Sequence, residues 1–240
     1  MIKAVLFDCG GVLAYPGAGY WPRSVELDSI LGGRKLNIDR AKADAAMKEF
    51  GGILDEGRLI TGLGHELNLR RLFLKKMNEA LEAGLSERET DLIARSLTYN
   101  DARYALYDDT KRMLNVFADN YKIGFLSNAM PSMVRALTNH GITDRLSCFT
   151  VSCLEGCQKP EEKIYRLALG ELGLEPDECV FIEDVEANLL AAKRIGIHAV
   201  RMARPFYYIE PVPDFDWDGP VAHDLSEAFV IVNRLRGETA

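Results

Sequence analysis

The first apolar stretch of the chain, Ala4–Phe7, constrains the fold most, because it is followed at once by Asp8 and then by Gly10 and Gly11. Four apolar residues without alternation are typical of a strand buried on both faces in the middle of a parallel sheet. Ligands of open α/β sheets bind beyond the carboxyl ends of the strands, so Asp8 is expected where ligands bind. The glycines allow a sharp turn and a close approach of the backbone to a ligand. Taken alone, the stretch is equally consistent with Asp8 as the cap of a turn.

From Asp108 onwards, strand-like and helix-like segments alternate along the chain. The predicted strands are Lys122–Leu126, Phe149–Ser152, Val180–Ile182 and Ala199–Met202. The predicted helices are 108–118, Met130–His140, Glu161–Leu172, Val185–Ile195 and Leu225–Arg236. Strands that alternate with helices of this length predict an α/β fold with a doubly wound parallel sheet.

The segment from Ser24 to Leu97 has a different texture, with helical patterns and no convincing strand. Its predicted helices are Asp39–Phe50, Gly64–Glu82 and Ser86–Leu97. Ser86 and Glu89 have the spacing of a capping box, which marks a helix start. We therefore predict a helical cap domain, residues 15–97, inserted into an α/β core domain made of residues 1–14 and 98–240.

Composition narrows the class of protein. The net charge of −7 argues against a nucleic-acid partner, because such a partner favours a basic surface. No apolar run approaches the roughly 20 residues that span a bilayer, so we expect no membrane partner and a cytoplasmic location. Five cysteines, an odd number, do not suggest a disulfide framework, and we expect reduced thiols. The expected assembly is a monomer or a homodimer.

Polar side chains follow several predicted strands and one loop. They are Asp8, Ser127, Asn128, Lys159, Glu183 and Asp184. The carboxyl ends of parallel strands meet at the same edge of a sheet, so we expect these side chains to converge there. Adjacent carboxylates repel each other unless a cation neutralises them, and a set of oxygen ligands without histidine indicates Mg²⁺. A hydroxyl and free backbone amides at a helix start suit an anion. The alternatives are ordinary helix caps and a solvated lysine.

Four short motifs in this order resemble a known family. They are Phe7-Asp8-Cys9-Gly10-Gly11-Val12-Leu13, Phe125-Leu126-Ser127-Asn128, Lys159-Pro160, and Phe181-Ile182-Glu183-Asp184 with Asn188 following. The set resembles the haloacid dehalogenase superfamily, in particular its phosphatase-like branch with an inserted helical cap. Within it, the chain is similar to the N-terminal phosphatase domain of soluble epoxide hydrolases and to bacterial sugar-phosphate phosphatases. The resemblance implies a Rossmann-like core and covers nearly the whole chain.

The resemblance also implies roles for the residues of the motifs. Asp8 would be the nucleophile and a Mg²⁺ ligand, with the main-chain carbonyl of Gly10 and the carboxylate of Asp184 as further ligands. Glu183 would act in the outer shell of the metal or through water. Ser127 and Asn128 would hold the phosphoryl group, and Lys159 would offset charge between Asp8 and phosphate. The implied activity is Mg²⁺-dependent hydrolysis of a small phosphorylated metabolite through an aspartyl phosphate.

Gly10 departs from the family's commonest pattern, in which a second Asp follows the nucleophile by two residues and acts as general acid and base. Loss of a general acid costs about 10²–10⁴-fold in rate. Two alternatives therefore stay open. A 2-haloacid dehalogenase needs no second Asp, but its site is metal-free. A non-catalytic interaction module is supported by Gly10 and by the aromatic loop Phe206-Tyr207-Tyr208.

Substrate specificity is expected from the cap and from a few residues near the end of the core. Candidates there are Arg201 and Arg204, together with the aromatic loop 206–208. None of these segments carries a motif that names a substrate.

Overall fold

The computed structural model of the chain describes residues 1–19, 23–55, 59–204 and 215–238. Eight strands occur among these residues, in chain order: β1 Ala4–Phe7, β2 Ala14–Pro16, β3 Tyr104–Leu106, β4 Lys122–Ser127, β5 Cys148–Val151, β6 Cys179–Glu183, β7 His198–Met202 and β8 Val221–Ala222. The α-helices in the same residues are α1 Leu27–Ile30, α2 Arg40–Phe50, α3 Leu63–Leu81, α4 Glu87–Tyr99, α5 Thr110–Asn120, α6 Pro131–Asn139, α7 Ser152–Glu155, α8 Glu162–Leu172, α9 Glu186–Arg194 and α10 Leu225–Glu238.

Six of the strands form one parallel sheet in the order β5-β4-β1-β6-β7-β8. Strand β1 lies near the middle, and all four of its residues are buried. One hydrophobic cluster contains Phe7 and Phe117, and a second contains Leu6 and Tyr165. Phe7 and Leu6 are neighbours in a strand, so their side chains point to opposite faces and each face has its own core. The predicted α/β fold with a doubly wound sheet is confirmed.

Two details of the prediction are wrong. The strand Ala199–Met202 is not the last of the sheet, because the two-residue strand β8 pairs with it in parallel. A strand of two residues is too short to show any periodicity. Residues 14–21 are not simply a linker, since Ala14–Pro16 pairs antiparallel with β3 in a separate two-stranded ribbon. This ribbon joins the chain just before the helical insertion to the chain just after it.

The helical insertion agrees with its sequence pattern. Helices α2, α3 and α4 lie within two residues of the predicted bounds. The capping box is present, because the Ser86 side chain accepts from the Glu89 amide and the Glu89 carboxylate accepts from the Ser86 amide. Helices α3 and α4 pack against each other. The bounds 15–97 for a separate domain stay a prediction.

A buried polar cluster links the insertion to the core. Glu66 of α3 accepts hydrogen bonds from the amide and the hydroxyl of Ser132, each at 2.7 Å, in the first turn of α6. Arg70 donates to the same carboxylate at 2.7 and 2.8 Å. The Tyr104 hydroxyl lies 2.9 Å from the Ser132 hydroxyl. All four side chains are buried, so this cluster ties α3 to the start of α6.

In the part of the chain that the structure describes, none of the helices combines the length and the apolar character needed to cross a membrane.

Candidate active site

Three carboxylates meet at the carboxyl edge of the sheet. Asp8 directly follows β1, Glu183 ends β6, and Asp184 comes next. Strands β1 and β6 are hydrogen-bonded neighbours, with Phe7 opposite Ile182, so their ends are side by side. Each carboxylate offers an oxygen, and these oxygens lie within 4.8 Å of one another. The prediction that Asp8 and Asp184 are close enough to share one cation is confirmed.

Lys159 lies between two of these carboxylates. Its Nζ is 2.6 Å from Asp8 Oδ1 and 2.6 Å from Glu183 Oε2, and its side chain is almost fully buried. Burial disfavours the ammonium, but the charges of Asp8 and Glu183 outweigh burial and raise the pKa of Lys159. Lys159 is therefore a fixed positive charge at the edge of the sheet. The peptide bond between Lys159 and Pro160 is cis.

Glu183 is completely buried, and its carboxylate accepts hydrogen bonds from several donors of the protein itself. Besides Lys159, it accepts from Asn188 Nδ2 and from the backbone amides of Asp184 and Val185, each at 3.1 Å. Four donors use most of the acceptor capacity of a carboxylate. This arrangement makes Glu183 a support for Lys159 and for the turn after β6.

Asn128 also supports Lys159. Its side-chain oxygen accepts from the Lys159 backbone amide at 2.8 Å, and its Nδ2 donates to the Lys159 carbonyl at 2.9 Å. This pair of hydrogen bonds joins residues that are 31 positions apart in the sequence. The side chain that was predicted to hold a phosphoryl group is therefore bonded to the loop that carries Lys159.

Ser127 is buried at the end of β4, which is the other neighbour of β1 in the sheet. The interaction of its side chain with the Asp8 carboxylate lowers the pKa of Asp8. Of the sequence-predicted site residues, Ser127, Lys159, Glu183 and Asp184 all surround Asp8.

The cluster has more negative charge than the protein compensates. Burial and then the charge of Glu183 raise the pKa of Asp8 to about 6, although Lys159 and Ser127 act in the opposite direction. Burial, followed by the charges of Glu183 and Asp8, raises the pKa of Asp184 well above its ordinary value. A divalent cation relieves this repulsion, and carboxylate oxygens are the ligands that Mg²⁺ prefers. The donor set therefore fits Mg²⁺.

Gly11 explains why the motif after Asp8 needs a glycine. Its φ is +73°, and a Cβ at this position would lie 2.1 Å from Asp184 Oδ2. Any side chain would therefore displace the carboxylate from the cluster. Gly10 lies beside it and lines the adjoining pocket.

A pocket of about 540 Å³ opens onto the cluster. Asp8, Lys159, Glu183 and Asp184 form one part of its lining. The remaining lining residues are Gly10, Arg103, Tyr104, Asn128, Ala129, Met130, Met133, Pro160, Val185, Ala187 and Asn188. Sequence reasoning missed Arg103, Tyr104, Met130 and Met133, because residues of these types at a pocket wall follow no local pattern.

The residues predicted to set specificity lie elsewhere or outside the described ranges. Among the described residues, none of 15–97 lines the pocket. Arg204 forms an ion pair with Asp109 at 2.9 Å and donates to the Val12 carbonyl, while Arg201 donates to the Phe215 carbonyl. The aromatic loop 206–208 falls outside the described residues.

The fold and the site together define a hydrolase of the haloacid dehalogenase type. The sequence model of the haloacid dehalogenase-like hydrolase family matches residues 2–196 of the chain. The chain therefore belongs to this family.

Several curated proteins resemble the chain. It is 27% identical to a glyceraldehyde 3-phosphate phosphatase of Methanopyrus kandleri, over 92% of this chain and 94% of that protein. It is 28% identical to an (S)-2-haloacid dehalogenase of Xanthobacter autotrophicus, over 85% of this chain and 76% of that protein. A shorter match of 44% identity to mouse acyl-CoA dehydrogenase family member 10 covers 22% of this chain and 5% of that protein.

Solved structures share the fold. An L-2-haloacid dehalogenase has a TM-score of 0.70 at 21% identity, with 99% of this chain and all of that chain covered. A family enzyme of Bacteroides thetaiotaomicron, solved in complex with magnesium and inorganic phosphate, has a TM-score of 0.50 at 20% identity. That match covers 85% of this chain and 95% of the other. Relatives in this family thus bind Mg²⁺.

Proposed function

We propose that the chain is a Mg²⁺-dependent phosphomonoesterase that acts on a small phosphorylated metabolite through an aspartyl phosphate on Asp8. The observation that carries this proposal is the cluster of three carboxylates within 4.8 Å, with Lys159 bonded to Asp8 and to Glu183. The similarity to a glyceraldehyde 3-phosphate phosphatase along nearly the whole chain supports the same reaction class.

Asp8 is the nucleophile in this proposal. One of its carboxylate oxygens attacks phosphorus, the bond between phosphorus and the ester oxygen breaks, and the alcohol leaves with a proton from solvent. Water then attacks the aspartyl phosphate, which releases inorganic phosphate and restores the Asp8 carboxylate. Lys159 stays charged throughout and stabilises negative charge next to the reacting group.

Asp8, Asp184 and the main-chain carbonyl of Gly10 would hold the metal. When bound, Mg²⁺ supplies the positive charge that the carboxylates and the phosphoryl oxygens require. Glu183 would lie farther out, because its oxygens already accept from four donors of the protein. Its part is to hold Lys159 and the backbone after β6 in place.

The phosphoryl group would be bound mainly by Ser127 and Lys159. Asn128 contributes by fixing the backbone of Lys159, through hydrogen bonds at 2.8 and 2.9 Å. Gly10 has no side chain that could protonate a leaving alcohol. Esters of weakly basic alcohols should therefore react faster than alkyl phosphates, whose alkoxides need a proton as they leave.

A 2-haloacid dehalogenase is the second candidate, favoured by the 28% identity to the Xanthobacter autotrophicus enzyme. In this reaction Asp8 would displace halide from carbon, and no alkoxide would need a proton, which suits Gly10. The excess of carboxylates opposes it, because an anionic haloacid would meet Asp8, Glu183 and Asp184 without a compensating metal.

The deciding experiment compares two products in the same preparation. Phosphate release from a panel of phosphorylated metabolites is measured with Mg²⁺ and with EDTA, and chloride release is measured with 2-chloropropionate. Phosphate release that requires Mg²⁺ supports the phosphatase, whereas chloride release that persists in EDTA supports the dehalogenase. The absence of both products would favour a non-catalytic interaction module.

A further inference from the structure

The pocket beside the carboxylates has an apolar wall. Beyond the metal-binding end, the wall is formed by Ala129, Met130, Met133, Pro160, Val185 and Ala187. A pocket of about 540 Å³ has room for the alcohol portion of a substrate as well as its phosphoryl group, since small-molecule pockets span roughly 300–1,000 Å³. The wall therefore faces whatever group the phosphate is attached to.

The neutral polar side chains of the described wall are already bonded within the protein. Asn128 is bonded to the Lys159 backbone, and Asn188 donates to Glu183. The Tyr104 hydroxyl lies 2.9 Å from that of Ser132, outside the wall. These bonds fix the orientation of both amides, which leaves an alcohol only their remaining N–H and carbonyl positions. Hydroxyls placed against the apolar wall would be buried without partners, at a cost in free energy.

A phosphate by itself uses all the positive charge that the described wall leaves uncompensated. Lys159 together with a divalent cation balances the carboxylates of Asp8, Glu183 and Asp184. Arg103 adds one further positive charge to the described lining, and a phosphate monoester brings up to two negative charges. A second anionic group on the substrate would add negative charge to a partly buried site that is already saturated with it.

From this wall we infer that the substrate is a phosphomonoester with an uncharged, apolar alcohol portion, aromatic or branched, and without a second anionic group. The inference rests on the proposed phosphatase function and adds the substrate class to it. Met130 and Met133 pack against the alcohol portion, because methionine adapts its shape and makes favourable sulfur contacts with aromatic rings.

A matched pair of substrates tests the inference directly. Phenyl phosphate and 4-carboxyphenyl phosphate both release a phenol and differ by one carboxylate. With Mg²⁺, kcat/KM for phenyl phosphate should exceed that for the carboxylated ester by about tenfold or more. Calorimetric binding of phenylphosphonate and 4-carboxyphenylphosphonate, neither of which can be hydrolysed, should show the same order of affinity.

Two variants locate the effect at this pocket. Val185 and Leu190 are both exposed aliphatic residues, with 48% and 41% of their surface accessible, but of the two only Val185 lines the pocket. Val185→Lys adds a positive charge near the alcohol portion, so it should lower the preference for phenyl phosphate about threefold or more. High salt screens this charge and should make the decrease smaller. Leu190→Lys adds the same charge elsewhere and should leave the preference unchanged.

The outcomes separate the inference from the function on which it rests. If the carboxylated ester reacts or binds as well as its neutral partner, the inference is wrong while the phosphatase stands. If neither ester releases phosphate and neither phosphonate binds, the phosphatase proposal itself fails. Should Val185→Lys not fold, the two wild-type measurements still decide between these outcomes.

Discussion

Among the described residues, the buried cluster of Glu66 with Arg70 and the buried cluster around Asp8 both join acidic and basic side chains, but they differ in charge balance. In the cluster of Glu66 and Arg70, one carboxylate meets one guanidinium, and Ser132 adds two hydrogen bonds. In the cluster around Asp8, three carboxylates share one lysine and open onto a pocket.

The difference shows how similar residues serve either structure or chemistry. A balanced ion pair that is fully hydrogen-bonded needs nothing from outside and fixes one element against another. A cluster with excess negative charge is stable only with an added cation, and it is therefore suited to bind one. We therefore expect substitutions in the Asp8 cluster to change the stabilisation that Mg²⁺ gives the protein, and substitutions in the Glu66 cluster to leave it as in the wild type.

The largest expected effect comes from Asp8→Asn. The amide keeps the shape of the side chain but has no nucleophilic oxygen, so phosphate release should fall by about 10⁴-fold or more. Circular dichroism should show an intact fold. Asp108→Asn, which alters an exposed aspartate two residues before α5, is the control and should retain full activity. Substantial turnover in folded Asp8→Asn protein would rule out the aspartyl phosphate.

Replacing the basic side chain of each cluster tests the comparison most directly. Lys159→Met and Arg70→Met each leave buried carboxylates uncompensated, which costs about 3–5 kcal/mol of unfolding free energy. The free energy of unfolding gained on adding Mg²⁺ should be larger for Lys159→Met than for the wild type, and unchanged for Arg70→Met, whose Asp8 cluster is intact. Urea unfolding with and without the metal measures both gains.

Arg166→Met is the matched control for Arg70→Met. Arg166 also pairs with a glutamate four residues earlier, Glu162, but both side chains of that pair are more than half exposed. Its loss should cost less than about 1 kcal/mol, because solvent screens an exposed pair. An equal gain in unfolding free energy from Mg²⁺ for Lys159→Met and Arg70→Met would show that the charge imbalance is not what distinguishes the two clusters.

The pH dependence of stability gives a smaller effect. The pKa of Asp8 is about 6 in the folded protein and 3.8 as its ordinary value, so between these values the folded state binds more protons than the unfolded state. Without metal, this group therefore makes the protein less stable as pH rises from about 4 to 6, by about 1–3 kcal/mol.

Mg²⁺ binds the deprotonated carboxylates, so the increase in Tm on adding Mg²⁺ should grow across the same pH range. Differential scanning fluorimetry with Mg²⁺ and with EDTA measures this increase. Asp8→Asn should flatten its pH dependence. A Tm increase that is the same at pH 4.5 and pH 7 would contradict metal binding at this cluster.

The smallest effect concerns Gly10. Gly10→Asp supplies a carboxyl that could protonate a leaving alkoxide, so kcat/KM for an alkyl phosphate should rise relative to that for an aryl phosphate by about tenfold. The ratio is measured for glycerol phosphate and phenyl phosphate in both proteins. A wild type that already hydrolyses the two esters equally well must contain another acid.

Much of the fold could be predicted because it depends on local patterns. The apolar run Ala4–Phe7 and the capping box of Ser86 each depend on only a few consecutive residues, and both occur as predicted. The sheet then brings Asp8 and Asp184 together, because β1 and β6 are parallel neighbours. The two-residue strand β8 escaped prediction because it is held only by its pairing with β7.

The sequence by itself determined the sheet, the helical insertion and the set of polar residues at one edge of the sheet. Tertiary structure alone decided how these residues are used. It bonds Asn128 to the Lys159 backbone, buries Glu66 with Arg70, and builds the pocket wall from residues such as Met130 and Met133. The physical reason is that strand and helix patterns reflect contacts between near neighbours in the chain. The surroundings of a side chain depend on segments that come together only after folding; Lys159 and Asp8, for example, are 151 positions apart.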